Sequence, residues 1–424
     1  MKTGKFCGFM FATLTLCIAG NASALPVDYV PNFPVPELNA SQGAGRIHTM
    51  LVAGLMAVKG FSNEPIDKNN VNKHEGDLLA MCKLYSPPGT TWPDGCDISG
   101  LAKALTDMFP GNWVKTSYPG TDAGQQAAVN TQLTGMSIYK SPSIVPIYGQ
   151  VDHWVTITKI NADKAVNPWL IKKVYFYDSG DPLQIEDIEG NGYEDGLKQV
   201  SGGTYKTTYY KVFAPNTLSP LDPYYGRYIF AYEPPLLQQA NVDMNKLGFA
   251  AGTAVLGDGE RLTPSLASEL VWDALELDDV LEGREYQRIV DAGVAGQAVE
   301  VHGFTPAGDP WNYFVVPIHD SERRGVLALV GLAAKDGAFE QIRSFNTPKA
   351  FSLRNAREAS VAARGQLRRG ERLAQGDLRW DPRCGDSYCR SPELPYYEYT
   401  VVGANRQHAG HVIVPIQGGA ALRR

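Results

Sequence analysis

Two side chains with catalytic chemistry lie on neighbouring predicted strands in the first half of the chain. His153 begins an alternating run of Val, Thr and Ile, and Asp178 ends the apolar run 174–177. When two such strands pair antiparallel, the start of one lies beside the end of the other. The carboxylate can then orient the imidazole and stabilise its charged form, as in acyl transfer. The alternative is that His153 is an ordinary histidine and Asp178 a turn residue.

The elements that must position this pair are helices first and strands afterwards. Apolar and small residues at helical spacing predict helices at 45–60, 75–84, 100–109 and 123–133, with Ser99 as the N-cap of the third. Alternating and β-branched residues then predict strands at 143–148, 153–160, 173–177, 204–213 and 228–232. This order is typical of the α+β class, with an antiparallel sheet after the helices.

The length of 424 residues fits two domains. Pro234, Pro235 and a polar stretch predict a linker at 236–245 between a first domain, 25–235, and a smaller α+β accessory domain, 246–424. That second domain carries no recognisable catalytic motif. Its predicted helices are 264–277, 280–292 and the Arg-rich 354–375, and its predicted strands are 298–304, 311–318, 326–332, 340–345, 396–403 and 411–416.

The N-terminus has the form of a secretory signal peptide. Lys2 and Lys5 precede an apolar stretch at 6–19 and the small residues Ala-Ser-Ala at 22–24, so cleavage is predicted after Ala24. The apolar stretch is shorter than the roughly 20 residues that span a bilayer. We therefore expect a secreted or periplasmic protein without a membrane partner once the signal is removed.

Charge and composition exclude other classes. The formal net charge is −6, which excludes a generally basic nucleic-acid binder. Hydrophobic residues make up 44% and charged residues 20% of the chain, as in globular proteins rather than disordered ones. The oligomeric state is not predicted.

Four cysteines follow the signal segment and fall into two local pairs. We predict the disulfides Cys82–Cys96 and Cys384–Cys389, because disulfides persist in an exported protein. Cys96 also precedes a predicted helix start, where a free thiol would be activated. It is therefore the best alternative nucleophile, a role that the disulfide would exclude.

The pattern as a whole resembles the papain-like cysteine peptidases, and among them the bacterial double-glycine leader peptidases, over roughly residues 38–232. Residues 95–105 match the second helical segment of that branch, 143–147 match the strand before the histidine, and His153-Trp154-Val155 match the histidine motif. The resemblance implies a papain-like fold in the first domain.

The same resemblance implies roles for individual residues. His153 would be the general base, and Asp178, in preference to Asp181, would orient it. Gln42 would donate to the oxyanion, and the nucleophilic Cys would stand six residues later at a helix N-terminus. That position is His48, and an imidazole there has no comparable role in acyl transfer.

Three functions remain open. The favoured one is a catalytically degenerate peptidase whose cleft binds peptide or protein. The second is an active peptide-bond hydrolase that uses His153 and Asp178 with an unidentified nucleophile, Cys96 being the best candidate. The third is a secreted scaffold or inhibitor without enzymatic activity.

No cofactor and no metal are predicted. A set of His48, His153 and Asp178 could bind a metal if the fold is papain-like, but hydrogen bonding is the commoner reason for such proximity. His408 and His411 lie three residues apart beside the last predicted strand. Because side chains alternate between faces along a strand, this spacing favours separate surface histidines over joint ligands.

Overall fold

The structure, a computed structural model, describes nineteen ranges of the chain. They are residues 27–29, 38, 46–58, 66–67, 70–88, 90, 95–109, 111–147, 153–163, 169–178, 198–201, 227–232, 247–257, 260–282, 286–304, 308–322, 325–349, 353–381 and 392–424. The signal segment, Gln42, Asp181, Cys384, Cys389, the predicted strand 204–213 and the predicted linker lie outside them.

In the described ranges of the first part of the chain there are four helices, at the predicted places. They are α1 Arg46–Ala57, α2 Val71–Tyr85, α3 Ile98–Met108 and α4 Asp122–Thr134, followed by a π-helical turn at Gly135–Tyr139. The N-cap of α3 is Asp97, whose side chain accepts from the Gly100 amide at 2.7 Å. The predicted cap, Ser99, is wrong because the helix begins two residues earlier and a carboxylate caps it better than an interior hydroxyl.

The strands that follow form an antiparallel sheet in the spatial order β2–β7–β3–β4–β5. Their bounds are β2 Val114–Pro119, β3 Ser143–Ile147, β4 His153–Asp163, β5 Trp169–Asp178 and β7 Arg227–Tyr232, with β1 Val27–Tyr29 paired to the later half of β4. Strand β2 was not predicted. The combination of helices with an antiparallel sheet confirms the α+β class.

The ladder continues from this sheet into the second half of the chain. Strand β8, Leu247–Phe249, runs parallel to the start of β5. The later strands are β9 Gly293–Ala295, β10 Val299–Gly303, β11 Tyr313–Asp320, β12 Val326–Ala333 and β13 Phe339–Lys349. Strand β6, Lys198–Ser201, pairs antiparallel with β5 on one side and with β13 on the other. Strand β12 lies between β13 and β11, and β9 and β10 both pair with the other edge of β11.

Helices cover the second half of this ladder. Helix α5 is Pro264–Leu277, capped by Thr263 with Pro264 at its first position, and α6 is Gln287–Ala292. Alternate residues of β11 enter two hydrophobic clusters. Tyr313 and Val315 join the cluster that also contains α1 to α4, while Phe314 and Val316 join the one under α5 and α6. This part of the ladder is therefore buried on both faces.

A four-stranded antiparallel sheet, joined to β10 by a short parallel pairing, ends the chain. Its strands are β14 Arg372–Trp380, β15 Tyr396–Val402, β16 His408–Pro415 and β17 Leu422–Arg423. Helix α7, Ala356–Arg364, packs on it, and the hydroxyl of Tyr399 donates to the Ala356 carbonyl at the start of the helix. The hydroxyl of Tyr397 donates to the carbonyl of Arg354, just before the helix. The predicted helix 354–375 is wrong beyond Gly365, because residues from Arg372 onward pair with β15 instead.

Within the described ranges, no helix combines the length and the apolar character needed to cross a membrane.

The last strand is fixed by an ion pair that should titrate in acid. Arg423 donates two hydrogen bonds to the carboxylate of Glu371, and the Arg368 amide donates a third at 2.7 Å. These donors lower the pKa of Glu371 from 4.5 to about 2. Because the folded-state pKa is the lower one, the pair stabilises the fold fully above pH 4.5, and that contribution is lost as the pH falls towards 2.

We expect Glu371→Gln to lower the thermal midpoint at pH 6 and to make it less sensitive to acid. Asp377→Asn, at an exposed carboxyl of β14, is the control; equal acid sensitivity in both variants would contradict this assignment.

Candidate functional site

The backbone places His153 and Asp178 on adjacent strands, as the sequence predicts. His153 is the first residue of β4, opposite Ile147 of β3, and Asp178 is the last residue of β5, opposite Val155. The two residues are therefore on neighbouring strands. Val155, the partner of Asp178, lies two residues after His153 on β4. Since the strand period is two, positions 153, 155 and 178 belong to one face of the sheet.

Helix α1 is fixed to the other face of β4. The buried hydroxyl of Thr156 donates to the carbonyl of Ala53 over 2.7 Å, which joins the middle of the helix to the strand. Trp154 belongs to the same face as Thr156 and is completely buried. Sequence reasoning did not identify the Thr156–Ala53 bond, because a Thr within an alternating strand carries no signal of a helix partner.

His48 lies in the first turn of α1, the third residue of a helix that begins at Arg46. The structure thus gives position 48 the helix N-terminal location that the family resemblance implies for a nucleophile. Five residues separate His48 from Ala53, and three separate His153 from Thr156. Gln42 lies outside the described residues.

The predicted disulfide between Cys82 and Cys96 is present, with their Cα atoms 5.3 Å apart. It joins α2 to the start of α3, and both cysteines are completely buried. Two further bonds support it: the Asp97 amide donates to Ser86 Oγ, and that hydroxyl donates to the Cys82 carbonyl, each over 2.9 Å. A bonded, buried sulfur has no thiolate, so in this form Cys96 is not available as the alternative nucleophile.

The approach of α3 to α2 also depends on a glycine. A Cβ at Gly100 would lie 2.2 Å from Ser86 Oγ and 2.5 Å from the Cys82 carbonyl. Only a residue without a side chain allows this close contact. The cystine and its hydrogen bonds are thus a rigid structural unit of the fold.

The candidate site consists of the N-terminus of α1 with His48, the first residue of β4, His153, and the last residue of β5, Asp178. The two cysteines in the described part of the chain are joined to each other. No group of three or more His, Cys, Asp or Glu side chains suited to a metal occurs among the described residues. Position 48 carries an imidazole and no thiol, so acyl transfer through a thiolate has no nucleophile there.

No protein-family model matches the chain, and no match was found among the curated proteins or the solved structures.

Proposed function

We propose that the first half of the chain is a papain-like module of an exported protein, which binds a peptide or protein segment and does not cleave it. The observation that carries the proposal is the position of His48. Helix α1 begins two residues before it and is bonded to the strand that begins with His153. The order of helix, strand, histidine strand and acid strand supports the papain-like interpretation.

The loss of chemistry follows from residue types. A helix N-terminus activates a thiol because the helix dipole favours the thiolate. An imidazole at position 48 cannot form the acyl-enzyme in that way, although it can still hydrogen-bond a peptide carbonyl.

Export is proposed from residues 1–24 and is supported by the cystine. Disulfides persist in secreted and periplasmic proteins and are rare in the cytosol. The Cys82–Cys96 bond is enclosed in the core and integrated with the α3 cap, as expected of a structural disulfide.

Restoring a thiol is the direct test of this proposal. We expect the native protein to leave a fluorogenic peptide library uncleaved but to retain peptides from it in affinity selection. His48→Cys should gain turnover of at least about 100-fold over the native background, the scale of one positioned acid–base group. The measurement is the rate of fluorescence release at pH 7.

The control for His48→Cys is Thr49→Cys. It adds a thiol one residue further, about 100° around the helix axis, and should gain nothing. Adding His153→Ala to His48→Cys should abolish the gain. Turnover by the native protein that disappears with His153→Ala would instead establish an active hydrolase. If His48→Cys shows no turnover and the native protein retains no peptide, the proposal of a peptide-binding module is overturned.

A further inference from the structure

Two histidines meet on the outer face of the last sheet. His411 pairs with Thr400 of β15, whereas His408 pairs with Val402, so β16 holds one more residue than β15 between these pairs. This bulge cancels the usual alternation and puts both histidines on one face. Their Nε2 atoms are 3.0 Å apart and their ring centroids 4.7 Å apart. The expectation of separate surface histidines is therefore wrong.

The bulge is built by a glycine and the C-terminal strand. Gly410 has φ +116°, a conformation that residues with side chains rarely adopt, and a Cβ there would lie 2.2 Å from the Arg424 carbonyl. His411 and Arg424 exchange both backbone hydrogen bonds, at 3.1 and 2.8 Å. The backbone of His411 is thus fixed by Arg424, the residue after β17, and the spacing of the two rings is a property of the fold.

A carboxylate lies behind one of the two rings. Glu398 Oε1 is 3.7 Å from Nδ1 of His411, and that nitrogen is buried. Arg379 binds the same carboxylate through a hydrogen bond, which holds Glu398 in place. A carboxylate facing one ring nitrogen favours a proton there and leaves the lone pair on the other nitrogen, the arrangement that supports metal-ligating histidines.

We propose that Nε2 of His408 and Nε2 of His411 bind a divalent transition metal ion of the zinc or copper type, while the carboxylate of Glu398 faces Nδ1 of His411. Metal–nitrogen bonds of about 2.0–2.1 Å put two nitrogens about 2.9 Å apart at a right angle and about 3.3 Å apart in a tetrahedron. The two nitrogens, which hydrogen-bond each other in the structure, are 3.0 Å apart, a separation within this interval.

The site is an open one. With two imidazole ligands and no third protein donor among the described residues, the remaining coordination positions are left for water or for a donor from another molecule. Imidazole nitrogen prefers zinc and copper over magnesium and calcium, which bind oxygen ligands. Copper is expected to bind more tightly than zinc, in keeping with the general order of divalent affinities.

The test is a calorimetric titration of the untagged, chelator-treated protein with Zn²⁺, Cu²⁺ and Mg²⁺. We expect one equivalent of Zn²⁺ or of Cu²⁺ and no saturable binding of Mg²⁺. His408→Ala and His411→Ala should each weaken zinc binding by more than tenfold, and Glu398→Gln by about tenfold. His302→Ala, at an exposed histidine of β10, is the matched control and should leave zinc binding unchanged.

A spectroscopic readout separates this site from other histidines. The electron paramagnetic resonance spectrum of the copper complex should show coupling to two imidazole nitrogens, and His408→Gln should reduce that number to one. Absence of saturable zinc and copper binding would overturn the proposal. Binding that survives both His408→Ala and His411→Ala would overturn it as well, by placing the metal elsewhere.

Discussion

Replacing Trp154 with alanine is expected to remove about 3–5 kcal/mol from the free energy of unfolding. The indole is completely buried, next to the His153 position and on the α1 face of β4. Its removal leaves a cavity between the central strand and the helix, because close-packed surroundings relax only in part. The measurement is chemical unfolding in urea, followed by circular dichroism.

Two controls separate this cavity from general sensitivity to mutation. Trp154→Phe keeps an aromatic ring and should lose distinctly less free energy than Trp154→Ala. Leu84→Ala changes a side chain that is 71% exposed and should alter the free energy of unfolding by no more than about 0.5 kcal/mol. A loss for Trp154→Ala as small as that of Leu84→Ala would show that α1 does not pack on this strand.

Reduction of the Cys82–Cys96 disulfide should lower the free energy of unfolding by about 3 kcal/mol. The bond closes a loop with a sequence separation of 14 residues, and opening it restores the conformational freedom of that loop in the unfolded chain. The same loss is expected for the double variant Cys82→Ser with Cys96→Ser. The measurement is the urea midpoint with and without dithiothreitol.

The double variant also provides the control. Dithiothreitol should not alter its stability through this bond, so the remaining effect of the reductant reports on Cys384 and Cys389. If the native protein and the double variant respond equally to the reductant, Cys82 and Cys96 are not bonded in solution.

Local signals in the sequence predicted the helices well. Thr263 followed by Pro264 gives α5 a start with its own cap, and the observed bounds are those expected. The cap of α3 is Asp97 and not Ser99, and the sequence does not distinguish them because both are good capping residues two positions apart. Strand β14 was missed for a different reason: Arg372 to Leu378 consists largely of good helix formers, and pairing with β15 overrides that propensity.

Long-range features could not be predicted from the sequence. The contact of His408 with His411 depends on a bulge that Gly410 permits, and Gly410 approaches a carbonyl at the chain's last residue. For the candidate site, the strand positions of His153 and Asp178 could be predicted from alternation. The face on which α1 lies could not, since it depends on contacts between residues far apart in the sequence, among them the bond from Thr156 to Ala53 with a separation of 103 residues.

Strand β6 has a consequence for the order of folding. It joins positions 173–176 of β5 to positions 341–343 of β13, which lie about 140 residues further along the chain than β6 itself. Closing so long a loop is entropically costly, so the pairing of β6 with β13 should form late and limit the folding rate. Until then β6 and β13 each expose an open edge, a template for pairing between chains. The chain is therefore most prone to aggregate before its two halves have joined, and separating them at the predicted linker would make that vulnerability permanent.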